Sequence, residues 1–441
     1  MKKIVLSLFL FALTANMVAE DHVMAATKRA PERDVPATLN LSLTEAQDYA
    51  IETNRSLRNA DLAVQKAYAS RWQTIASMLP SVDMSWAFQS MMGYKMNFGT
   101  MPIDMPDNGT LGITAAVGIN GQAIVGALLN NVAIDMQKLN LEQSEDNLRA
   151  NVKTSYTSVL VLQNVVTLLE NSLANIEQMA AMTQRSVDVG AAEQTTADLI
   201  NVRANTLRNN INANLRSTQL ALNALKVLLD VPAETELQLT TTLEDVLSAE
   251  TVLQLLGNEF ILENNLNYQL LEKNVELAEK NVHMAGWAYG PTIGVGYQYS
   301  KKDYFGQKEG FNMTPPNALS VQVSMPLWSS GKRAAGVVEK KIALEEARNT
   351  FAETTNNLGI QNDQLRYNLQ NAYETFTNEQ ENMGVTQRVF DNTTRKFQQG
   401  AASNLDLVNA SNDLITAQSS YVQAVLTLVN AQVELEKFLN L

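Results

Sequence analysis

The distribution of proline constrains this chain more than any other feature of its sequence. All ten prolines lie at apparent boundaries, and more than a hundred residues pass without one between Pro106 and Pro232 and again after Pro326. An interior proline destabilises a helix by about 3 kcal/mol, so gaps of this length are typical of very long helices. A helix of about seventy residues would be about 100 Å long, because each residue adds about 1.5 Å. No compact globular core has that length.

The chain reads twice through one pattern, at an offset of about 210 residues that is the spacing between Gly190 and Gly400. Each copy has a helix, a proline, two strands around a loop, a very long helix, a glycine tip and a final helix. The predicted divisions are a signal peptide at 1–25, an N-terminal extension at 26–42, a first repeat at 43–230, a linker at 231–258 and a second repeat at 259–441. The predicted strands are 81–92, 111–121, 292–300 and 318–328.

The four strand segments place apolar side chains at every second position, as in Val82, Met84 and Trp86. Strands of about ten residues with one apolar face suit the outer membrane. In lipid every backbone group must be paired, so a sheet has to close into a barrel, and the smallest barrels use about eight strands. Four strands cannot close alone. We therefore predict a mainly α fold of long antiparallel coiled-coil helices, with four strands per protomer of a β-barrel formed by oligomerisation around a shared pore.

The N-terminus and the composition limit the class of protein. Lys2 and Lys3 precede an apolar run at 4–13, which is typical of a secretory signal. No later stretch reaches the roughly 20 uncharged apolar residues of a membrane helix, so we expect strands to enter the membrane. The chain has no cysteine, two histidines and a net charge of −13, which argues against thiol chemistry, most metal sites and nucleic-acid binding. We expect no enzymatic activity, no metal and no cofactor.

Three local motifs resemble the TolC-like outer membrane efflux protein family. A helix ends in a proline that opens a strand at Pro80 and again at Pro291. The strand-to-helix segment from Pro326 to Gly331 is similar to the family's Pro-Leu-aromatic-x-Gly-Gly motif. The tip segment 397–410 looks like the family's glycine turn followed by an aspartate-bearing helix, and it is the most specific of the three.

This resemblance implies an architecture, a location and partners. It implies a homotrimer with a twelve-stranded barrel in outer-membrane lipid and a long α-helical barrel in the periplasm of a Gram-negative-type envelope. It implies contacts with a periplasmic adaptor (membrane fusion) protein and with an inner-membrane pump of the RND or ABC type, and none with nucleic acid. The implied function is that of the outer-membrane exit duct of a tripartite efflux or type I secretion system.

The resemblance also assigns residues at the tips. Family members carry two acidic positions that ring the periplasmic aperture, and here Asp406 matches the first while Asn409 occupies the second. Asp198 is the counterpart in the first repeat, with two extra residues between it and Gly190. Phe397 stands where the family has a tyrosine that latches to a neighbouring coil, so the hydroxyl of that latch is absent.

Other interpretations remain open from the residues alone. Asp406 can serve only as a helix cap, because Gly400 can end one helix and Ser403 with Asp406 resembles a capping box at the start of the next. A similar cap is expected from Thr195 with Asp198. A soluble periplasmic coiled-coil scaffold or adaptor would explain the helices but would leave the alternating strands unused. A secreted hydrolase would need a nucleophile and a base that converge, and the sequence offers no such set.

Overall fold

The computed structural model describes residues 36–99, 101–305 and 315–440. The predicted signal peptide at 1–25 and most of the predicted extension at 26–42 lie outside the described residues. In chain order the elements are β1 (Thr38–Leu41), α1 (Leu43–Thr53), α2 (Arg55–Ala76), β2 (Ser81–Gln89), β3 (Lys95–Phe98), β4 (Met101–Asp104), β5 (Asn108–Asn120), α3 (Gly121–Asp188), α4 (Gln194–Leu229), β6 (Glu236–Leu239), α5 (Leu243–Val246), α6 (Ala249–Gly257), α7 (Leu266–Gly286), β7 (Thr292–Tyr304), β8 (Asn317–Ser324), α8 (Lys332–Gln398) and α9 (Asn404–Leu439). The described chain is therefore mostly helical.

One compact unit comprises residues 61–138 and 270–352. Its sheet is antiparallel, with the strand order β2-β5-β7-β8. Residues directly opposite each other share a face, so the register defines two faces. One row of what we call the apolar face is Val82, Ala115, Tyr297 and Leu319. The next row, on what we call the small-residue face, is Ser81, Ala116, Gly296 and Ser320. The alternation predicted from the sequence is confirmed by this register.

The strands differ in length from the sequence-based expectation. β2 ends short of residue 92, because Met92 and Gly93 turn the chain with positive φ values of 48° and 75°. β8 ends short of residue 328, just ahead of Pro326, which has no N–H to donate. β5 and β7 are longer than predicted, and they remain paired as far as Asn108 opposite Tyr304. The segment predicted as the loop after β2 contains the β3–β4 hairpin.

The other compact unit comprises residues 36–60, 139–269 and 353–440. Here β1 and β6 pair in parallel along their whole length, a pairing that the sequence pattern did not predict. The buried Tyr156 fixes this pair, because its hydroxyl donates to the Leu41 carbonyl at 2.8 Å and accepts from the Thr241 N–H at 3.1 Å.

Two apolar cores stabilise this second unit. The larger core includes Leu41, Tyr156, Leu225, Leu369 and Leu428. The second, which we call the tip core, consists of Val166, Leu169, Ile176, Met179, Ile200, Ala204, Leu207, Ile211, Phe390, Leu407, Ala410 and Leu414. Helices α3, α4, α8 and α9 all contribute to it.

Helix α3 corrects one expectation from the sequence. Among the described residues it is the one helix whose length and composition would allow it to cross a membrane, whereas no such segment was expected. Its apolar side chains have another role in this fold. Tyr156 is buried in the larger core and Ile176 in the tip core, so packing within the chain accounts for much of the apolar character of α3.

Candidate functional site

The two glycine tips close with the same hydrogen bonds. At the second tip, the Ala401 N–H donates to the Lys396 carbonyl at 2.8 Å and the Gly400 N–H to the Phe397 carbonyl at 3.0 Å. The first tip repeats both bonds around Gly190. This is a Schellman turn, which needs a left-handed residue, and φ is +75° at both glycines. A side chain at either glycine would therefore strain the turn.

Ser403 and Asp406 form the capping box expected at the start of α9. The N–H and the hydroxyl of Ser403 donate to Asp406 Oδ2 at 2.9 and 2.7 Å, and the Asp406 N–H donates to Ser403 Oγ at 3.2 Å. These hydrogen bonds from Ser403 hold the pKa of Asp406 below its ordinary value. The stabilisation that they give is therefore present above the unfolded-state pKa and is lost as the pH falls through the lower folded-state pKa.

The aperture candidates are all accessible to solvent within one chain. Asp406 and Asn409 are exposed on the same side of α9, while the residue that follows each of them is buried. Asp198 is exposed on α4, and its Oδ1 accepts from Gln194 Nε2 at 2.9 Å. Nothing within one chain therefore prevents these groups from lining an aqueous opening.

The cap expected from Thr195 and Asp198 is wrong. Helix α4 begins two residues earlier than a Thr195 cap requires, with Glu193 at the N-cap position and no side-chain hydrogen bond that caps the helix. Thr195 therefore lies inside the first turn, where its hydroxyl donates to Glu193 Oε2 at 3.2 Å. The two tips share their glycine turns but differ in how the following helix starts.

Phe397 packs inward at the second tip. Its ring is partly buried against the tip core, and Phe390, two turns earlier in α8, is only 1% exposed. The aromatic side chain at the predicted latch position thus makes an apolar contact within its own chain.

The transitions between helices and strands occur at the predicted proline and glycine positions. Pro80 and Pro291 directly precede β2 and β7. After Pro326 the chain turns at Gly331, where φ is +81°, into α8. Arg333, which the sequence analysis missed, holds this turn: its guanidinium donates to the Pro326 carbonyl at 2.6 Å and to a serine hydroxyl at 2.9 Å, and it lies 4.9 Å from the ring centre of Tyr289.

The transition from β5 to α3 in the first repeat has no proline, and two other residues, Asn120 and Gly121, shape it. Asn120 Oδ1 accepts from the Ala123 N–H at 2.7 Å, which caps the first turn of α3. Gly121 lies against the indole of Trp287, and a Cβ on Gly121 would overlap that ring. The Asn-Gly pair was visible in the sequence as a turn and cap signal, but its contact with Trp287 was not.

A charged depression of about 410 Å³ lies in the unit formed by 36–60, 139–269 and 353–440, with α1, α3, α6 and α9 around it. Asp146 Oδ2 is buried there without a hydrogen bond. Burial, followed by the nearby Glu142 and Glu145, raises the pKa of Asp146 above its ordinary value. Ionisation of Asp146 therefore disfavours the folded state, and this penalty develops as the pH rises through the folded-state pKa.

Replacing Asp146 with Asn should raise the melting temperature at pH 8 more than at pH 4, because Asn keeps the shape without the buried charge. Thermal unfolding followed by circular dichroism across this pH range measures the effect. Asp413→Asn, at an exposed position on α9, is the matched control and should leave the pH dependence unchanged. Equal shifts for both variants at every pH would contradict the assignment of the penalty to Asp146.

Among the residues that the structure describes, no group of three or more histidine, aspartate or glutamate side chains is placed to hold a metal ion. The candidate site therefore consists of the exposed helix tips and the open sheet.

Comparisons with known proteins identify proteins of similar sequence and fold. A family model described as "Outer membrane efflux protein" matches residues 259–441. The outer membrane efflux protein BepC of Brucella suis biovar 1 (strain 1330) is 25% identical over 347 residues, which are 75% of this chain and 72% of BepC. The outer membrane protein VceC of Vibrio cholerae has the same fold, with a TM-score of 0.72 at 14% identity over 90% of this chain and 95% of VceC. CusC, whose structures concern transmembrane channel formation, gives a TM-score of 0.73 at 16% identity over 93% and 98% of the two chains.

The matching family and its relatives are transport channels, and this chain is likewise not an enzyme. The chain resembles the outer membrane efflux protein family, whose model matches its second half, and it is similar to BepC over most of its length. The chain is an outer-membrane efflux channel protein that extends into the periplasm. The similarity to efflux proteins favours this assignment over the soluble scaffold or adaptor.

Proposed function

We propose that three copies of this chain close into one duct, with a twelve-stranded barrel in the outer membrane and an α-helical barrel below it. The duct serves a tripartite efflux or type I secretion system, with a periplasmic adaptor and an inner-membrane RND or ABC pump as partners. The single observation that carries this proposal is the open four-stranded sheet, whose outer strands β2 and β8 each have one edge that no described strand pairs with.

The surface of the sheet supports a location in lipid. On the apolar face of the outer strands, Met84 is 75% exposed, Leu319 73% and Val321 67%. Such a surface is unfavourable in water but suits the hydrocarbon layer, where unpaired backbone groups are not tolerated. Closure by copies of the same sheet satisfies both requirements, because β2 of one protomer can pair with β8 of the next. The small-residue face would then line the lumen.

In this proposal each protomer has two pairs of strands and two helical hairpins, one of each from either predicted repeat. The repeats are 43–230 and 259–441, on either side of the linker 231–258. The tips around Gly190 and Gly400 form the periplasmic mouth, and Asp406, Asn409 and Asp198 lie at the aperture. Their exposure within one chain supports the proposal.

Disulfide cross-linking tests the closure directly, because the natural chain has no cysteine. Ser85→Cys on β2 is combined in turn with Ala318→Cys, Ser320→Cys or Gln322→Cys on β8, all on the small-residue face. Oxidation of outer-membrane extracts should give covalent dimers and trimers for the register that forms across the protomer boundary. Non-reducing gel electrophoresis measures the ladder.

The matched control is Thr114→Cys with Gln298→Cys, two residues that pair on neighbouring strands of the same chain. This pair should form a disulfide within one chain and give no ladder. If none of the three edge combinations cross-links while the control pair does, and the protein remains monomeric in mild detergent, the proposed closure is wrong.

A further inference from the structure

We propose that the outer end of the apolar face binds the phosphorylated sugar headgroup of a glycolipid in the outer leaflet of the membrane. Lys301 contacts the phosphate, and the rings of Trp86, Phe88 and Phe305 contact the sugar. We call these four residues the headgroup site. The inference rests on the proposed duct, because it starts from the lipid around the barrel and names the part of that lipid which the sheet recognises.

The chain order determines which end of the sheet faces outward. Strand β2 follows α2, and β5 leads into α3 at Gly121, so these two strand ends adjoin helices. The opposite ends, at Gln89 and Asn108, are connected through the β3–β4 hairpin. In the proposed duct the helices lie in the periplasm. The hairpin end of the sheet therefore faces the outside of the cell.

The strand register places Lys301 on the apolar face, close to this outer end. Lys301 lies opposite Leu111, which in turn lies opposite Trp86, so the three residues form one row of that face. The preceding positions of β7 on the same face are all apolar or aromatic, namely Ile293, Val295, Tyr297 and Tyr299. Lys301 is the first charged residue after them.

The height of Lys301 on the barrel matches the level of the lipid headgroups. Eight residue steps separate it from Ile293, at the start of β7. They extend about 27 Å along the strand, which is about 20 Å along the membrane normal at a tilt of about 40°. The apolar band of an outer-membrane barrel is about 25 Å tall, so Lys301 lies near its outer edge.

Three aromatic rings lie beside Lys301 on the same face. Phe305 directly follows β7, and the centre of its ring is 5.8 Å from that of Phe88. A Cβ on Gly109 would come within 3.2 Å of the Phe305 ring and 3.7 Å of Trp86 Nε1, so the rings lie over this glycine. Trp86 is 67% exposed, Phe88 54% and Phe305 49%. Open ring faces of this kind can stack against the C–H groups of a sugar.

The charge of Lys301 selects an anionic headgroup. Lys301 Nζ is 3.5 Å from Asp303 Oδ2, and the two side chains are 60% and 64% exposed. An ion pair this exposed is weak, so the ammonium group remains available to a phosphate oxygen. The lysine stem can lie along the apolar face while its charge reaches the headgroups. Aromatic residues alone would hold any lipid at this level, whereas the lysine favours a phosphorylated one.

Titration with lipid A, a glucosamine lipid with two phosphates, tests the headgroup site on the purified chain in mild detergent. EDTA is present, so that divalent cations cannot bridge the phosphates to other groups. Lys301→Gln should weaken the binding of lipid A about fivefold, the factor expected for one lysine at a membrane surface. Lipid A from which both phosphates have been removed should bind the natural chain and Lys301→Gln equally. Native mass spectrometry measures the retained lipid.

Lys302→Gln is the matched control, because it removes the same charge from the adjacent residue. Lys302 is on the small-residue face, where its Nζ lies 5.3 Å from the ring centre of Tyr304. This variant should bind lipid A as the natural chain does. Trp86→Leu keeps an apolar side chain but removes the ring, so it should weaken the binding of both forms of the lipid.

Unchanged binding of lipid A by Lys301→Gln, or an equal loss in Lys302→Gln, would overturn the headgroup site. So would unchanged binding by Trp86→Leu, or displacement of lipid A by inorganic phosphate, which would indicate a site for a free anion. If Lys301→Gln binds normally while the β2–β8 cysteines give covalent trimers, the headgroup site is wrong but the duct stands. If the strand cysteines fail to cross-link, the proposed function is wrong whatever the lipid result.

Discussion

Gly121→Ala should lower the thermal stability of the folded chain by about 1–3 kcal/mol, the range typical of overpacking. The added methyl group would overlap Cδ2 and Cε3 of the Trp287 indole, which belong to a rigid ring. Either the start of α3 or the indole must move, and both lie beside the strand ends. Unfolding followed by tryptophan fluorescence, together with the temperature at which the proposed trimer dissociates on gels, measures the loss.

Gly126→Ala provides a matched control in the same helix. Its Cβ would make only an ordinary contact with Thr74, at 3.8 Å, so higher helix propensity should stabilise the chain by about 0.5–1 kcal/mol. In a Trp287→Ala background, Gly121→Ala should lose most of its effect, because the overlapping ring is gone. Equal destabilisation by Gly121→Ala with and without the indole would show that the contact with Trp287 is not the cause.

Asp406→Asn should abolish the sensitivity of channel conductance to divalent cations and to pH, because three carboxylates would converge at the proposed aperture. Mutual repulsion raises the pKa of such groups, opposing the capping bonds from Ser403 that lower it within one chain. Block by cations requires the ionised carboxylates, so it should weaken as the pH falls through their pKa values. Recordings in planar bilayers on purified trimers measure both responses.

Two further variants separate the pore role of Asp406 from its capping role. Ser403→Ala removes the hydroxyl hydrogen bond, the largest of the interactions that lower the pKa of Asp406, but keeps the backbone bond and the carboxylate. Cation block should therefore persist, and its loss should shift to higher pH. Asn409→Asp should strengthen the block by doubling the charge of the ring. If Asp406→Asn leaves the block and the pH response intact in assembled trimers, Asp406 is a helix cap only.

The sequence predicted the features that depend on local pattern. The absence of proline indicated the long helices α3 and α8, and the alternation around Met84 and Val321 indicated the faces of the sheet. Ser403 and Asp406 were recognisable as a capping box because that motif involves residues three apart. The capping box acts over one turn and the alternation over one strand, while the proline-free stretches are read directly along the chain. None of these signals needs knowledge of the tertiary structure.

The features that the sequence did not reveal depend on contacts between distant segments. Arg333 binds the Pro326 carbonyl and lies over Tyr289, but nothing local distinguishes it from any other exposed arginine. The contact between Gly121 and Trp287 joins positions in different repeats. Thr195 failed as a cap because α4 starts two residues earlier than its pattern suggested. Helix boundaries are sensitive to such small shifts, whereas the existence of the helix is not.

The parallel pairing of β1 with β6 has a consequence for the order in which the chain folds. Thr38 lies opposite Glu236, so β1 has no partner until more than half of the polypeptide has been exported. The hydrogen bond that the Thr241 N–H donates to the Tyr156 hydroxyl must also wait for that moment. Closing so long a loop is entropically unfavourable and slows folding. Strand β1 is therefore secured late, and it stays open to proteases and holdase chaperones until β6 has been exported.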